Sequence, residues 1–128
     1  MNIEIFTICD YAQSFGSTIN ILAPFDTIKT EKLPIVKSFF VVIRLRYDPE
    51  EEKLKTLMFQ ILDPDKIEIL QPFRNEIKIP AHPDKTVCVN HIIGFENIQL
   101  KKNGKYLIMI ETEGEKYELP FYVELIKK

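Results

Sequence analysis

The chain has 128 residues, of which 45% are hydrophobic and 28% are charged, and its formal net charge at pH 7 is −2. One domain, 1–128, is expected at this length, and the composition excludes a disordered chain, a collagen-like repeat and a disulfide-dense miniprotein. Isoleucine occurs 19 times and alanine only 3 times, a balance that favours strands over helices because β-branched side chains suit a pleated sheet.

The first two predicted strands form a hairpin. Residues 2–12 and 18–25 have apolar residues in alternation on either side of a turn at Ser14–Ser17, a pattern typical of paired antiparallel strands. The stretch 26–32 that follows is polar and is expected to be a loop. The side chains predicted to share one face of the first strand are Ile3, Ile5, Cys9 and Tyr11.

Residues 35–47 have the clearest strand pattern. Apolar side chains occupy every second position from Phe39 to Tyr47, and Arg44 and Arg46 occupy alternate positions between them. Because successive side chains of a strand point to opposite faces of the sheet, the apolar set should face the core and the two arginines should form a small basic stripe. Since both faces are apolar over much of its length, we expect this strand near the middle of a sheet.

The segment after this strand is ambiguous. Asp48–Glu51 has the features of a helix start, with a capping aspartate and a proline at the first helical position. The apolar residues between 54 and 62 fit both helical spacing and strand alternation. We predict a short helical turn near 49–53 followed by a strand at 55–63.

Turn residues divide the rest of the chain into further short strands. A turn at Asp63–Lys66 leads into an apolar run at 67–70, which indicates a hairpin. Three prolines make 71–85 irregular, and Gly94 is expected to interrupt the strand that contains it. The other predicted strands are 76–79, 86–100, 105–112 and 116–126.

Strand-length runs at short, regular intervals are typical of sandwiches and barrels. The spacing Leu100-x-x-x-Gly104-x-Tyr106 also resembles the tyrosine corner of immunoglobulin-like sandwiches, in which a tyrosine hydroxyl bonds back to the preceding chain. We therefore predict an all-β fold, an Ig-like β-sandwich of about seven to nine mostly antiparallel strands.

Two histidines, His82 and His91, are the candidates for a general base in catalysis. His82 lies in a proline-rich turn and His91 lies in a predicted strand, and the sequence contains no nucleophile motif such as G-x-S-x-G. We therefore expect no catalytic residue and no enzyme activity.

Metal and cofactor motifs are equally weak. The spacing Cys88-x-x-His91 is similar to that of a metal-ligand pair, but residues three apart in a strand point to opposite faces. Aspartates in predicted turns are explained by side-chain bonds to the local backbone, and the sequence has no phosphate-binding loop or EF-hand loop. We expect no metal and no cofactor.

Cys9 and Cys88 lie 79 residues apart, each in an apolar strand-like run. Two buried free thiols in a reducing compartment are expected, and an inter-sheet disulfide is the alternative. No stretch approaches the roughly 18 apolar residues that span a bilayer, and Met1–Ile5 leads into strand-like sequence without the pattern of a secretory signal. We expect a cytoplasmic protein without membrane contact.

Three stretches, in this order, carry a family resemblance: Cys9–Gln13 with Ile19–Leu22 and Phe25–Asp26, Phe39–Tyr47 with Pro49–Glu51, and Gly104-x-Tyr106 with Leu119–Val123. Together they resemble an uncharacterised family of small bacterial β-sandwich proteins, classed as a domain of unknown function, over nearly the whole chain. The sequence departs from the family pattern at Ala23–Pro24, where a glycine is expected. The resemblance implies the fold and no established activity.

The function expected from these observations is a non-catalytic protein-interaction or assembly module. Basic residues are spread along the chain, so no nucleic-acid partner is expected. A protein partner or a second copy would bind through a sheet face or an edge strand. The candidate surface residues are Arg44, Arg46, Phe15, Phe73 and Phe95, although the phenylalanines could instead cap the core. The alternative is a small-ligand or carbohydrate-binding sandwich with an apical-loop pocket, but a sugar platform is disfavoured because the chain has no tryptophan.

Overall fold

The computed structural model describes residues 1–49, 54–80, 82 and 84–127, which form nine strands and no helix. No membrane-spanning helix therefore occurs in this part of the chain. The ambiguous segment after residue 53 is a strand, whereas the helical turn predicted near 49–53 falls, apart from Pro49, outside the described residues. The strands are β1 (Asn2–Phe15), β2 (Thr18–Pro24), β3 (Thr27–Thr30), β4 (Ile35–Tyr47), β5 (Leu54–Leu62), β6 (Phe73–Lys78), β7 (Val87–Leu100), β8 (Gly104–Thr112) and β9 (Glu115–Leu125).

The strands form two sheets that pack face to face around a shared core. Sheet A has the strand order β2-β1-β4-β7, and sheet B has the order β3-β9-β8-β5-β6. Neighbouring strands are antiparallel except β3 and β9, which run parallel. The architecture is a β-sandwich, as predicted, and its edge strands are β2 and β7 in sheet A and β3 and β6 in sheet B.

The core lies between the two sheets. From sheet A, the alternating apolar residues from Phe39 to Tyr47 are completely buried, as predicted. From sheet B, Phe59, Ile108 and Phe121 are almost completely buried as well. The ring centroids of Phe39 and Phe121 lie 6.0 Å apart across the two sheets. Each large apolar side chain buried in this way stabilises the fold by about 1.5–3 kcal/mol, so this layer is the main source of stability.

The β1–β2 hairpin folds back over the outer face of sheet A. β1 pairs with β4 up to Cys9 and with β2 from Cys9 onward. Cys9 and Val42 lie on the face of sheet A that points away from sheet B, yet both are completely buried. At the hairpin turn, the carbonyl of Ser17 accepts a hydrogen bond of 3.3 Å from the side chain of Asn90 in β7. Cys9 and Val42 belong to a second, smaller core on this outer face. The hairpin also contributes the side chains of Ala12, Ile19 and Ile21 to it.

The predictions for residues 26–32 and for Gly94 were wrong. The stretch 26–32, expected to be a loop, contains β3, which is too short and polar to show alternation and pairs with a strand at the far end of the chain. Gly94 does not interrupt β7. A Cβ at Gly94 would lie 3.0 Å from Cε1 of Phe40, so the glycine makes room for a ring on the neighbouring strand.

The hairpin predicted after Asp63 is reduced to one isolated bridge between Leu62 and Glu68. The turn itself forms as predicted, because Oδ1 of Asp63 accepts hydrogen bonds from the backbone N–H groups of Asp65 at 2.8 Å and Ile67 at 3.0 Å. The side chain thus satisfies the backbone locally, and the chain continues to β6 without a further strand.

Candidate functional site

Arg44 and Arg46 of β4 share the carboxylate of Glu4 in β1. Nε of Arg44 donates to Oε1 at 2.9 Å, and Nε of Arg46 donates to Oε2 at 2.6 Å. The register of β1 against β4 shifts between Ile3 and Ile5. Such a bulge redirects a side chain, and here Glu4 meets the arginines on the outer face. The alternating sequence pattern correctly predicted that both arginines lie on the face opposite the core. The structure adds that hydrogen bonds to Glu4 hold them in place there.

The hydrogen bonds from the two arginines keep the carboxyl group of Glu4 ionised. Donation from Arg46 and then from Arg44 holds the pKa of Glu4 at about 2, and the bond to Glu4 raises the pKa of Arg46. Sγ of Cys88 lies 3.4 Å from Oε1 of Glu4. Burial and then this bond raise the pKa of the Cys88 thiol, so the sulfur stays protonated and is a poor nucleophile.

Each guanidinium also has a partner on the far side of β4. Nη1 of Arg44 donates to Oδ1 of Asn90 at 2.9 Å, and Nη1 of Arg46 donates to Oγ1 of Thr86 at 2.7 Å. Glu4, Thr86 and Asn90 were missed by the sequence analysis. Glu4 and Asn90 are polar residues within apolar runs of the sequence. Their position there does not indicate that β1 and β7 lie on either side of β4.

A cleft of about 410 Å³ opens beside these side chains, where the tip of the β1–β2 hairpin meets the segment before β7. We call it the basic cleft, because two arginines and a lysine line it and no carboxylate among the described residues does. The described lining residues are Ser17, Arg44, Arg46, Pro80, His82, Lys85, Thr86, Val87 and Cys88.

The three candidate phenylalanines lie in different environments. Phe15, at the end of β1, is 54% exposed. Phe95 is buried, with its ring 5.4 Å from that of Phe39, and Phe73 is partly buried and stacks on Phe59 at 5.2 Å. Phe73 and Phe95 therefore cap the core, and of the three only Phe15 is available on the surface.

β7 is a long edge strand whose first nine residues lack the usual protection, whereas Glu96 and a register shift against β4 follow them. Natural sheets protect their edges with short strands, charged residues, prolines or bulges. β3 has four residues, β6 carries three charged residues, and β2 ends in a proline that follows Ala23 at a φ of 54°. In contrast, Val87–Phe95 contains neither a proline nor an Asp, Glu, Lys or Arg. Burial lowers the pKa of His91, so its imidazole is neutral at pH 7.

A second cleft, of about 490 Å³, lies between the β5–β6 and β7–β8 connections. Here Nζ of Lys102 donates to Asp63 at 2.8 Å and to Asp65 at 2.6 Å. Burial alone would raise the pKa of Asp63, but the bond from Lys102 and the backbone donors lower it overall. The described lining residues are Asp63, Ile67, Glu68, Ile69, Leu70, Asn97, Ile98, Gln99, Lys101, Lys102 and Tyr106.

Tyr106 forms the tyrosine corner that its spacing predicted. Its hydroxyl donates to the carbonyl of Lys102 at 2.9 Å and accepts from the backbone N–H of the same residue at 3.1 Å. Tyr106 is the one aromatic residue among the described residues that line the second cleft. Because its hydroxyl is occupied, it has a structural role there.

The candidate catalytic and metal-binding residues do not converge. On β7, Cys88 is paired with Arg46 on the outer face and His91 with Ile43 on the core side, so they point to opposite faces, as the strand geometry predicted. His82 lies in the segment before β7 and lines the basic cleft. The described part of the chain contains no group of three or more His, Cys, Asp or Glu side chains that could hold a metal ion.

Both cysteines are free thiols, Cys9 buried and Cys88 partly buried. They lie in the same sheet, so the alternative of an inter-sheet disulfide is wrong. On β4 they are paired with Phe40 and Arg46, six positions apart, which corresponds to roughly 20 Å along a strand. A disulfide requires Cα atoms within about 7 Å.

These features define a β-sandwich protein with an anchored arginine pair and an open sheet edge. The chain belongs to a family of unknown function, DUF6941, whose model matches residues 4–124. This membership agrees with the resemblance to an uncharacterised family that the sequence motifs carried. No curated protein matches the chain.

Proposed function

We propose that the protein is a non-catalytic interaction module of a bacterial cytoplasm, and that two copies associate by pairing their β7 strands. The observation that carries the proposal is the unprotected edge at Val87–Phe95. An added strand would satisfy the backbone donors and acceptors along this edge. The free thiols of Cys9 and Cys88 support a reducing compartment.

The chemistry of β7 suits pairing with itself. In an antiparallel pair centred on His91, the two strands are related by a two-fold axis, so every contact is made twice. Val89 would then lie opposite Ile93, and the neutral imidazoles of the two His91 residues would meet at the axis. No pair in this register opposes like charges. Because one strand pair buries less than the roughly 1,200 Å² of a standard interface, we expect weak, concentration-dependent dimers.

Sedimentation velocity from micromolar to near-millimolar concentration tests the proposal. The wild-type chain should shift from monomer to dimer as its concentration rises. His91→Lys should remain monomeric, because two ammonium groups would meet at the two-fold axis. Asn75→Lys is the control, since it adds a lysine to the edge strand β6 and should dimerise like the wild type.

Circular dichroism would establish that His91→Lys is folded before its sedimentation is interpreted. A wild-type chain that stays monomeric at near-millimolar concentration would overturn the proposal. Equal dimerisation of His91→Lys and the wild type would overturn it too, because the contact would then lie away from β7.

We also propose that the sandwich is of the immunoglobulin-like type. The tyrosine corner at Tyr106 supports this assignment. The neighbours β9-β8-β5-β6 in sheet B have the same order as the G, F, C and C′ strands of a variable-type domain.

Small-ligand binding in an apical-loop pocket is the second candidate function, supported by the second cleft. Ligand pockets are mostly apolar with a few well-placed polar groups. This cleft has apolar side chains from Ile67, Ile69 and Leu70. Among the described lining residues Tyr106 alone is aromatic, and its hydroxyl is already bonded to Lys102, so we rank ligand binding below the interaction module.

A further inference from the structure

We infer that the basic cleft binds a small oxyanion, a free molecule carrying a carboxylate or phosphate group. The inference does not rest on strand pairing at β7, because it is drawn from the arginine pair on the outer face of sheet A, although Val87 and Cys88 of β7 also line the cleft. Its basis is the convergence of Arg44, Arg46 and Lys85 on one cleft of about 410 Å³.

The two guanidinium groups are held in position before any ligand arrives. Glu4 binds the Nε atoms of both arginines, and Asn90 and Thr86 each bind one Nη1 atom. A guanidinium presents five N–H donors in a fixed planar array that matches the oxygens of a carboxylate or phosphate. Fixing the side chains in advance reduces the entropy that binding would cost.

The charge balance leaves the cleft positive. Glu4 offsets one of the two arginine charges, and Lys85 adds another positive charge at the rim. Because Glu4 contacts the Nε side of both arginines and is not among the lining residues, its carboxylate does not occupy the cleft. The hydroxyl residues Ser17 and Thr86 supply further polar lining.

The size and charge of the cleft favour a small anion over a nucleic acid. Nucleic-acid surfaces extend a basic track across several phosphates, whereas here three cations meet at one place on a chain of net charge −2. A volume of about 410 Å³ is in the range of pockets for small molecules.

Two-dimensional ¹⁵N–¹H NMR with inorganic phosphate and with citrate as separate probes tests the inference. Either probe should cause saturable shifts of the Nε–Hε signals of Arg44 and Arg46 and of the backbone amides from Thr86 to Cys88. Sodium chloride at matched ionic strength should not. The two titrations also show whether the site prefers the tetrahedral phosphate or the planar carboxylate.

Substitutions of cleft residues test whether the anion binds at the basic cleft. Arg46→Gln should weaken binding about tenfold or more, because it removes a charge-assisted hydrogen bond. Lys85→Gln should weaken it several-fold while leaving the Glu4 contacts in place, so it remains informative if Arg46→Gln folds poorly. The matched controls, Arg74→Gln and Lys105→Gln, remove exposed cations elsewhere and should bind like the wild type.

Two results would overturn the inference. One is equal shifts with chloride at matched ionic strength, which would reflect screening of surface charge. The other is saturable binding that neither Arg46→Gln nor Lys85→Gln weakens. Neither result depends on the sedimentation behaviour of the chain, so failure here leaves the dimer proposal standing.

Discussion

Single side chains at the surface of this sandwich are positioned by partners far away in the sequence. Glu4 holds Arg44 and Arg46 across the pairing of β1 with β4. A single surface ion pair adds little stability, but here one carboxylate accepts from two guanidinium groups and also fixes their orientation. The tyrosine corner is the local counterpart, because Tyr106 bonds to a backbone only four residues earlier.

Replacing Tyr106 with phenylalanine should lower the free energy of unfolding by about 1–2 kcal/mol, because the partly buried N–H and carbonyl of Lys102 lose their shared partner. Tyr122→Phe is the matched control, since Tyr122 is 42% exposed and its loss should change stability by about 0.5 kcal/mol or less. Urea unfolding measures both. Equal effects of the two substitutions would show that the corner contributes nothing beyond an ordinary hydroxyl.

Two elements, the β1–β2 hairpin and β7, determine which side chains and backbone groups of sheet A are exposed. The hairpin covers apolar side chains on the outer face, including Val42. Near the basic cleft the outer face carries the arginine pair, and β7 is the edge strand beside it. The same sheet therefore carries both proposed binding features.

Because the hairpin covers Val42 but not Val36, replacing these two valines of β4 should reduce the free energy of unfolding by different amounts. Val42→Ala should destabilise the protein by about 2 kcal/mol, because it leaves a cavity in the second core. Val36→Ala, on the same strand but at a site that is 60% exposed, should cost about 0.5 kcal/mol. Denaturant unfolding would compare them, and similar costs would show that the hairpin does not cover the sheet in solution.

For the whole molecule, stability below neutral pH should depend on three groups, because Asp63 also has a lowered pKa and acts together with His91 and Glu4. Burial lowers the pKa of His91 from 6.5, so the unfolded chain binds more protons than the folded one just below pH 6.5 and stability falls as the pH is lowered. Glu4 has a folded pKa of about 2 against 4.5. Its contribution is fully present above pH 4.5 and is lost as the pH falls towards 2.

Unfolding free energies across this pH range, measured at a concentration where the chain is monomeric, would separate the contribution of His91 from that of the carboxylates. His91→Gln should remove the decline that begins near pH 6.5 and keep the one below pH 4.5. Glu4→Gln should reduce the decline below pH 4.5 to the part that Asp63 contributes, and should keep the decline that begins near pH 6.5. An unchanged profile in either variant would contradict the assigned cause.

Local patterns in the sequence determined most of the strands, the two-sheet fold class, the core-facing residues of β4 and the tyrosine corner. Alternation and turn chemistry act over a few residues, so one sequence suffices to read them. The strand β3, the uninterrupted path of β7 through Gly94, the burial of Phe73 and Phe95, and the separation of the cysteines depended on the tertiary structure. The same is true of the hairpin cover and of Glu4 at the arginine pair, because strand order, register and bulges bring together residues that no spacing in the chain connects.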